Sequence, residues 1–160
     1  MASIPLRPVS RQRFALRKLV WVGPLTIVVA ALVNVVIRSV AVAFFGVPAG
    51  FTYLQAPVVI GSTIVFLLLA LLTFVLVGRF ARRPVWFYRI LALVALLVSF
   101  LNPILLLNGA FPAPGMNLHI FWTMIVMHCA SALLTVSLLT TLAVVPVVPV
   151  DREERASRLG

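Results

Sequence analysis

VVIGSTIVFLLLALLTFVLV, residues 58–77, is an uncharged apolar stretch at the end of the first half of the chain. At a rise of 1.5 Å per residue, about twenty such residues in a helix cross the roughly 30 Å hydrocarbon layer of a bilayer. The chain has 160 residues, of which 63% are hydrophobic and 10% charged, and a soluble fold of this size cannot cover so much apolar surface. The stretch therefore predicts a transmembrane helix.

Three further apolar segments predict three further spans, at residues 24–45, 90–107 and 118–145. The first begins at Pro24, since proline suits the first turn of a helix, where its missing N–H has no helical acceptor. The third contains Asn102-Pro103, and a proline at this position favours a bend near the outer end of the helix. The fourth is longer than the bilayer requires and must tilt or project before Pro146 ends it. The predicted fold class is an all-α, polytopic four-transmembrane-helix bundle.

The segments outside this predicted transmembrane domain, residues 24–145, are polar. Residues 1–23 form a basic segment, and the mixture of cations with Phe14 and Trp21 in its second half is typical of a short helix at a membrane surface. Residues 146–160 contain all three acidic residues of the chain and predict a polar tail that frays in the cytosol.

Positive charge is confined to three clusters beside the apolar segments. Of the 13 Lys and Arg residues, only Arg38 lies outside the clusters that precede the first span, join the second to the third and follow the fourth. Lys and Arg next to spans are retained in the cytoplasm, and loops 46–57 and 108–117 carry no charge. The pattern predicts a multi-pass protein of a bacterial plasma membrane with both termini cytoplasmic (N-in, C-in). It assigns the net charge of +10 to topology and argues against nucleic-acid binding.

Polar side chains in or beside the spans are the candidate site residues: Asn34, Arg38, Asn102, His119 and His128. Polar groups are costly inside a bilayer, so each needs a partner or a function. Arg38 is expected in the outer part of the membrane, where its side chain reaches the outer headgroups or loop carbonyls, and an anion or lipid-headgroup site is the alternative. No span contains Asp or Glu, so an internal ion pair cannot neutralise this charge.

Asn34 and His128 are expected at similar depths on different helices. A hydrogen bond between them would contribute about 0.6 to 2 kcal/mol and determine the helix register, while a ligand role is the alternative. His119 and His128 lie on one helix, on roughly opposite faces and about 13.5 Å apart along its axis, so they cannot ligate one haem. No cofactor is predicted, and a haem held by His128 with a methionine, or between two chains, stays open.

Residues suited to catalysis or metal binding do not form a recognisable set in the sequence. Cys129 is the only cysteine, which excludes an internal disulfide and a thiolate zinc cage. Ser131 and Thr135 follow His128 at helical spacing, but no acid is available to orient the imidazole. Small residues at such spacing more often mark close helix contacts. A similar stripe lies on the third span: Ala92, Ala95 and Ser99. We therefore expect a protein that is not an enzyme, with no catalytic and no metal-binding residues.

Three short motifs occur in a characteristic order. Basic residues precede the first span, RRPVWFYRI enters the third at residues 82–90, and Met127-His128 in the fourth is followed by small residues. This order resembles an uncharacterised family of small bacterial four-helix membrane proteins. The resemblance implies the fold and no activity.

The leading functional hypothesis is a non-enzymatic scaffold or accessory subunit of a larger membrane assembly. Such a protein contacts the lipid bilayer and either copies of itself or other membrane proteins, and the small size and uncharged loops favour it. The first alternative is an oligomeric channel or carrier for a small solute, lined by Arg38, Asn34 and His128. The second alternative is a haem or quinone redox subunit.

Overall fold

The structure is a computed structural model that describes residues 12–14, 16–81 and 83–146. Four helical spans in it are long and apolar enough to cross a membrane: Arg17–Phe44, Ala56–Phe80, Pro84–Leu107 and Leu118–Leu142. The prediction of four helices that are long and apolar enough to span a membrane is therefore confirmed. The basic residues 1–11, Arg82 and the tail from residue 147 onward lie outside the described residues.

Five α-helices form these spans, because the third span is divided in two. The helices are α1 Leu16–Phe44, α2 Ala56–Phe80, α3 Pro84–Ser99, α4 Leu101–Leu107 and α5 Leu118–Leu142. The division follows from Pro103, which has no N–H to donate to the carbonyl of Ser99 four residues earlier. At the break, the Ser99 hydroxyl donates to the carbonyl of Leu96 (2.7 Å), and Phe100 N–H donates to the carbonyl of Leu97 in a tighter turn.

The first helix begins before the position expected from its proline. α1 starts at Leu16 and continues through Pro24, which costs one hydrogen bond to the carbonyl of Val20. Close packing accompanies this irregular turn, since a Cβ on Gly23 would lie 3.2 Å from Leu71 Cδ1 of α2. The sequence placed the start of the membrane segment at Pro24, whereas the helix itself already begins at Leu16.

A short antiparallel strand pair departs from the all-α prediction. β1, Gln12–Phe14, pairs with β2, Val144–Pro146, with Gln12 opposite Pro146. The pair joins the segment before α1 to the segment after α5. It lies at the same end of the bundle as the turn between α2 and α3. We call this end of the bundle the basic end. The opposite end carries loops 45–55 and 108–117 and is called the loop end.

The four spans form a ring in which α1 packs on α5 and α2, and the third span contacts the same two helices from the other side. Two apolar clusters fill the interior. The basic-end cluster contains Val22, Phe74, Val77, Tyr88, Leu139 and Ala143. The loop-end cluster contains Ala41, Val47, Phe51, Leu54, Val59, Leu106, Ile120, Met124 and Met127. Three of these residues belong to loop 45–55, so the uncharged loop packs on the bundle.

Candidate functional site: the intramembrane polar residues

Asn34 on α1 connects three helices at the level between the two apolar clusters. Its Nδ2 donates to Thr63 Oγ1 of α2 (3.0 Å) and to Ser131 Oγ of α5 (2.9 Å), and the side chain is 5% exposed. The expected hydrogen bond to His128 is therefore wrong. α5 presents Ser131, one turn closer to the basic end, to the amide, while His128 lies on a different face of the same helix.

The orientation of the Asn34 amide follows from its partners. The Thr63 hydroxyl donates its only proton to the carbonyl of Val59 (2.7 Å), so it can only accept from Asn34. Both N–H groups of the amide donate to these two hydroxyls. Asn34 Oδ1 is buried and accepts no hydrogen bond from the described residues. An unsatisfied buried acceptor costs about 1 to 3 kcal/mol, which equals or exceeds what two bonds of about 0.6 kcal/mol each contribute.

Arg38 lies one turn beyond Asn34, toward the loop end. Its Nε donates to the carbonyl of Leu54, and its Nη2 donates to the carbonyl of Ala49 (3.2 Å). These are loop carbonyls, one of the contacts expected for a cation near the membrane surface. The guanidinium thus holds both halves of loop 45–55 against α1, and the described residues include no carboxylate that could neutralise it.

His128 on α5 is bonded within its own helix. Its Nδ1 lies 2.7 Å from the carbonyl of Met124, and since a carbonyl only accepts, Nδ1 carries the proton. The ring is half-buried and faces the third span, with its centroid 6.5 Å from that of Phe100. Nε2 is left as the nitrogen that could accept a hydrogen bond or bind a metal.

His119 and Asn102 lie apart from the other three candidates. Both side chains are exposed, His119 in the first turn of α5 and Asn102 on α4. Within the described parts of the chain, no group of three or more His, Cys, Asp or Glu residues could hold a metal ion. The structure therefore brings Asn34, Arg38 and His128 into three separate contacts and does not gather them around one space.

Two residues with defined roles were missed by sequence reasoning. Thr63 accepts from Asn34, and the signal was available, because a hydroxyl within an apolar span also needs a partner. Asn117 caps α5, since its Oδ1 accepts from Ile120 N–H (2.9 Å). An asparagine directly before a long apolar run is a typical helix start signal and predicts this cap.

The part of the chain that contains the four spans matches a known protein family. A family model described as "Family of unknown function (DUF6069)" matches residues 14–144. This confirms the resemblance to an uncharacterised family. No curated protein and no solved structure gives a match.

Proposed function

The chain belongs to the family of unknown function DUF6069, and from this premise we propose that it is a non-enzymatic scaffold or accessory subunit of a larger membrane assembly. One observation carries the proposal. The intramembrane polar side chains that would line a solute path or hold a ligand are bonded to Thr63, Ser131, loop carbonyls and a helix carbonyl instead.

The interior of the bundle supports the same conclusion. The Asn34 contacts close the space between α1, α2 and α5, and apolar clusters lie above and below them. A channel needs polar groups that face a common path, and a carrier needs a site that two conformations can reach. Because the interior of the bundle is filled, a partner subunit would bind to its outer surface.

The third span offers the surface best suited to a partner helix. It buries the smallest share of its residues of the four spans. Between Tyr88 and Pro103 none of its residues is fully buried, and Ala95 is exposed among larger side chains. In lipid, helices associate through close packing at small residues, because apolar area alone gives no advantage over lipid tails. We infer that a helix of another subunit, or of a second copy, packs along Ala95.

The orientation proposed from the sequence agrees with the distribution of cations in the bundle. Arg17, Lys18, Arg79, Arg83 and Arg89 lie at the basic end, whereas Arg38 near the loop end is bonded to carbonyls. By the positive-inside rule, the basic end faces the cytoplasm of a bacterial plasma membrane. Cysteine labelling from outside intact cells should therefore reach loop 108–117 and leave the α2–α3 turn unmodified.

Association can be tested on protein tagged at its natural expression level and purified in a mild detergent. We expect the chain to migrate with further copies or with other membrane subunits. Ala95→Trp should reduce the recovered complex at least about tenfold, a loss of some 1.4 kcal/mol, because the indole prevents close approach. Leu68→Trp, on the exposed face of α2, is the matched control and should leave recovery unchanged.

Two results would overturn the proposal or its interface. A wild-type chain that is strictly monomeric and brings down no other subunit contradicts the scaffold function. A complex that survives Ala95→Trp but is lost in Leu68→Trp moves the interface from the third span to α2.

A further inference from the structure

An open groove of about 610 Å³ lies at the basic end, where α2 ends and α3 begins. Its walls are apolar and come from both helices: Leu76, Phe80, Trp86 and Phe87. Arg83 stands in the turn between the helices and is the cation of the lining. The groove is remote from Asn34, Arg38 and His128 and plays no part in the proposed packing at Ala95.

The walls of the groove are unusually exposed for aromatic side chains. Phe80 is 78% exposed and Trp86 is 63% exposed, although both residues are large and apolar. Tryptophan is enriched at the level of lipid headgroups, where its ring contacts acyl chains and its N–H stays in a polar layer. The surface thus has the apolar chemistry to contact an acyl chain.

Charge at the groove is of one sign. Arg79, Arg83 and Arg89 are all exposed around the α2–α3 turn, and the described residues contain no Asp or Glu. The start of α3 adds to this field, because its first N–H groups carry partial positive charge and no acidic residue lies in its first turn. The complementary group is an anion at headgroup level, and a guanidinium forms paired hydrogen bonds with phosphate oxygens.

We propose that this groove binds one anionic phospholipid. An acyl chain lies along Leu76, Phe80 and Phe87, and the phosphate is bound by Arg83 with Trp86 beside the ester groups. Basic pockets between transmembrane helices are known to suit anionic headgroups, and each cation near the membrane surface contributes a modest electrostatic term. The site binds its lipid whether or not the chain assembles with other subunits.

Native mass spectrometry of the full chain in detergent tests the site. The probes are phosphatidylglycerol and phosphatidylcholine with identical acyl chains, added at equal concentration. We expect the first lipid to bind with at least about fivefold preference, and Arg83→Gln to remove about that factor. Arg17→Gln, which removes the same charge from an exposed position on α1, should retain the preference. A 100-fold excess of inorganic phosphate should not displace the lipid, because it lacks the acyl contacts.

The apolar wall needs its own variant. Phe87→Ala should weaken the binding of both lipids by a similar factor and leave their ratio unchanged. Arg83 and Phe87 are exposed, so circular dichroism and thermal unfolding of both variants should match the wild type. The site is refuted by equal binding of the two lipids, by equal loss in Arg17→Gln and Arg83→Gln, or by displacement with inorganic phosphate.

Discussion

α1 and the third span differ in what they contribute to the interior. α1 presents a continuous buried face, from Val22 through Ala30 and Asn34 to Ala41, at the three- and four-residue spacing of a helix side that packs along its length. The third span is buried near its two ends and exposed or half-buried between Tyr88 and Pro103. α1 packs along its length against α5 and α2, whereas the third span completes the ring with a mostly exposed surface.

The difference shows that hydrophobicity does not decide burial in this protein. α5 is the least hydrophobic of the four spans, yet it is the main partner of α1. The third span is among the most hydrophobic and buries the least. Lipid tails solvate leucine as well as a protein interior does, so close contacts and polar partners select which helices pack together.

Removal of a buried side chain should change the free energy of unfolding the most. The size of the loss should differ between a buried position in the bundle interior and an exposed position on the third span. Leu139 on α5 is fully buried in the basic-end cluster, whereas Leu97 on α3 is 58% exposed. Leu139→Ala should cost about 2 to 5 kcal/mol of unfolding free energy through the cavity that it leaves. Leu97→Ala should change it by less than about 0.5 kcal/mol. Unfolding of the purified chain in a denaturing detergent measures both, and equal losses would mean that the third span is packed as tightly as α5.

Added volume where Gly23 of α1 packs against α2 should have an intermediate effect. Gly23→Val places atoms against Leu71, where even a Cβ would be 3.2 Å from Cδ1, and should cost about 1 to 3 kcal/mol by overpacking. Gly61→Val on α2 is the matched control, because no atom lies within 4 Å of a Cβ there. The same unfolding experiment should show little change for the control. A tolerated Gly23→Val would show that α1 can move away from α2 without loss.

Replacement of the central amide should have the smallest effect. Asn34→Leu removes two hydrogen bonds worth about 0.6 kcal/mol each, but it also removes the unsatisfied Oδ1. The net loss of unfolding free energy should be about 1 kcal/mol or less. Asn102→Leu, at an exposed position on α4, should have no measurable effect. A loss above about 3 kcal/mol at Asn34 would indicate that Oδ1 has a partner in the membrane.

The sequence identified most residues of the candidate site, but it did not identify their hydrogen-bond partners. Asn34, Arg38 and His128 were identified because polar groups among apolar residues need partners. The partner of Asn34 was predicted incorrectly, since equal depth on two helices leaves open which face of α5 meets α1. His128 and Ser131 are three residues apart, so a rotation of α5 by about 60° decides which of the two side chains meets Asn34.

The sequence by itself determined that the chain has four apolar helices, an interruption near Pro103 and a cluster of cations beside the turn between the second and third spans. These properties depend on local composition, because a helix in lipid satisfies its backbone hydrogen bonds internally. Only the tertiary structure decided that α1 continues through Pro24, that β1 pairs with β2 and that Asn34 contacts Thr63 and Ser131. The strand pairing and the Asn34 hydrogen bonds join segments distant in the chain, and the turn at Pro24 lies where Gly23 packs against Leu71 of α2. Their energies therefore depend on packing geometry that no single segment specifies.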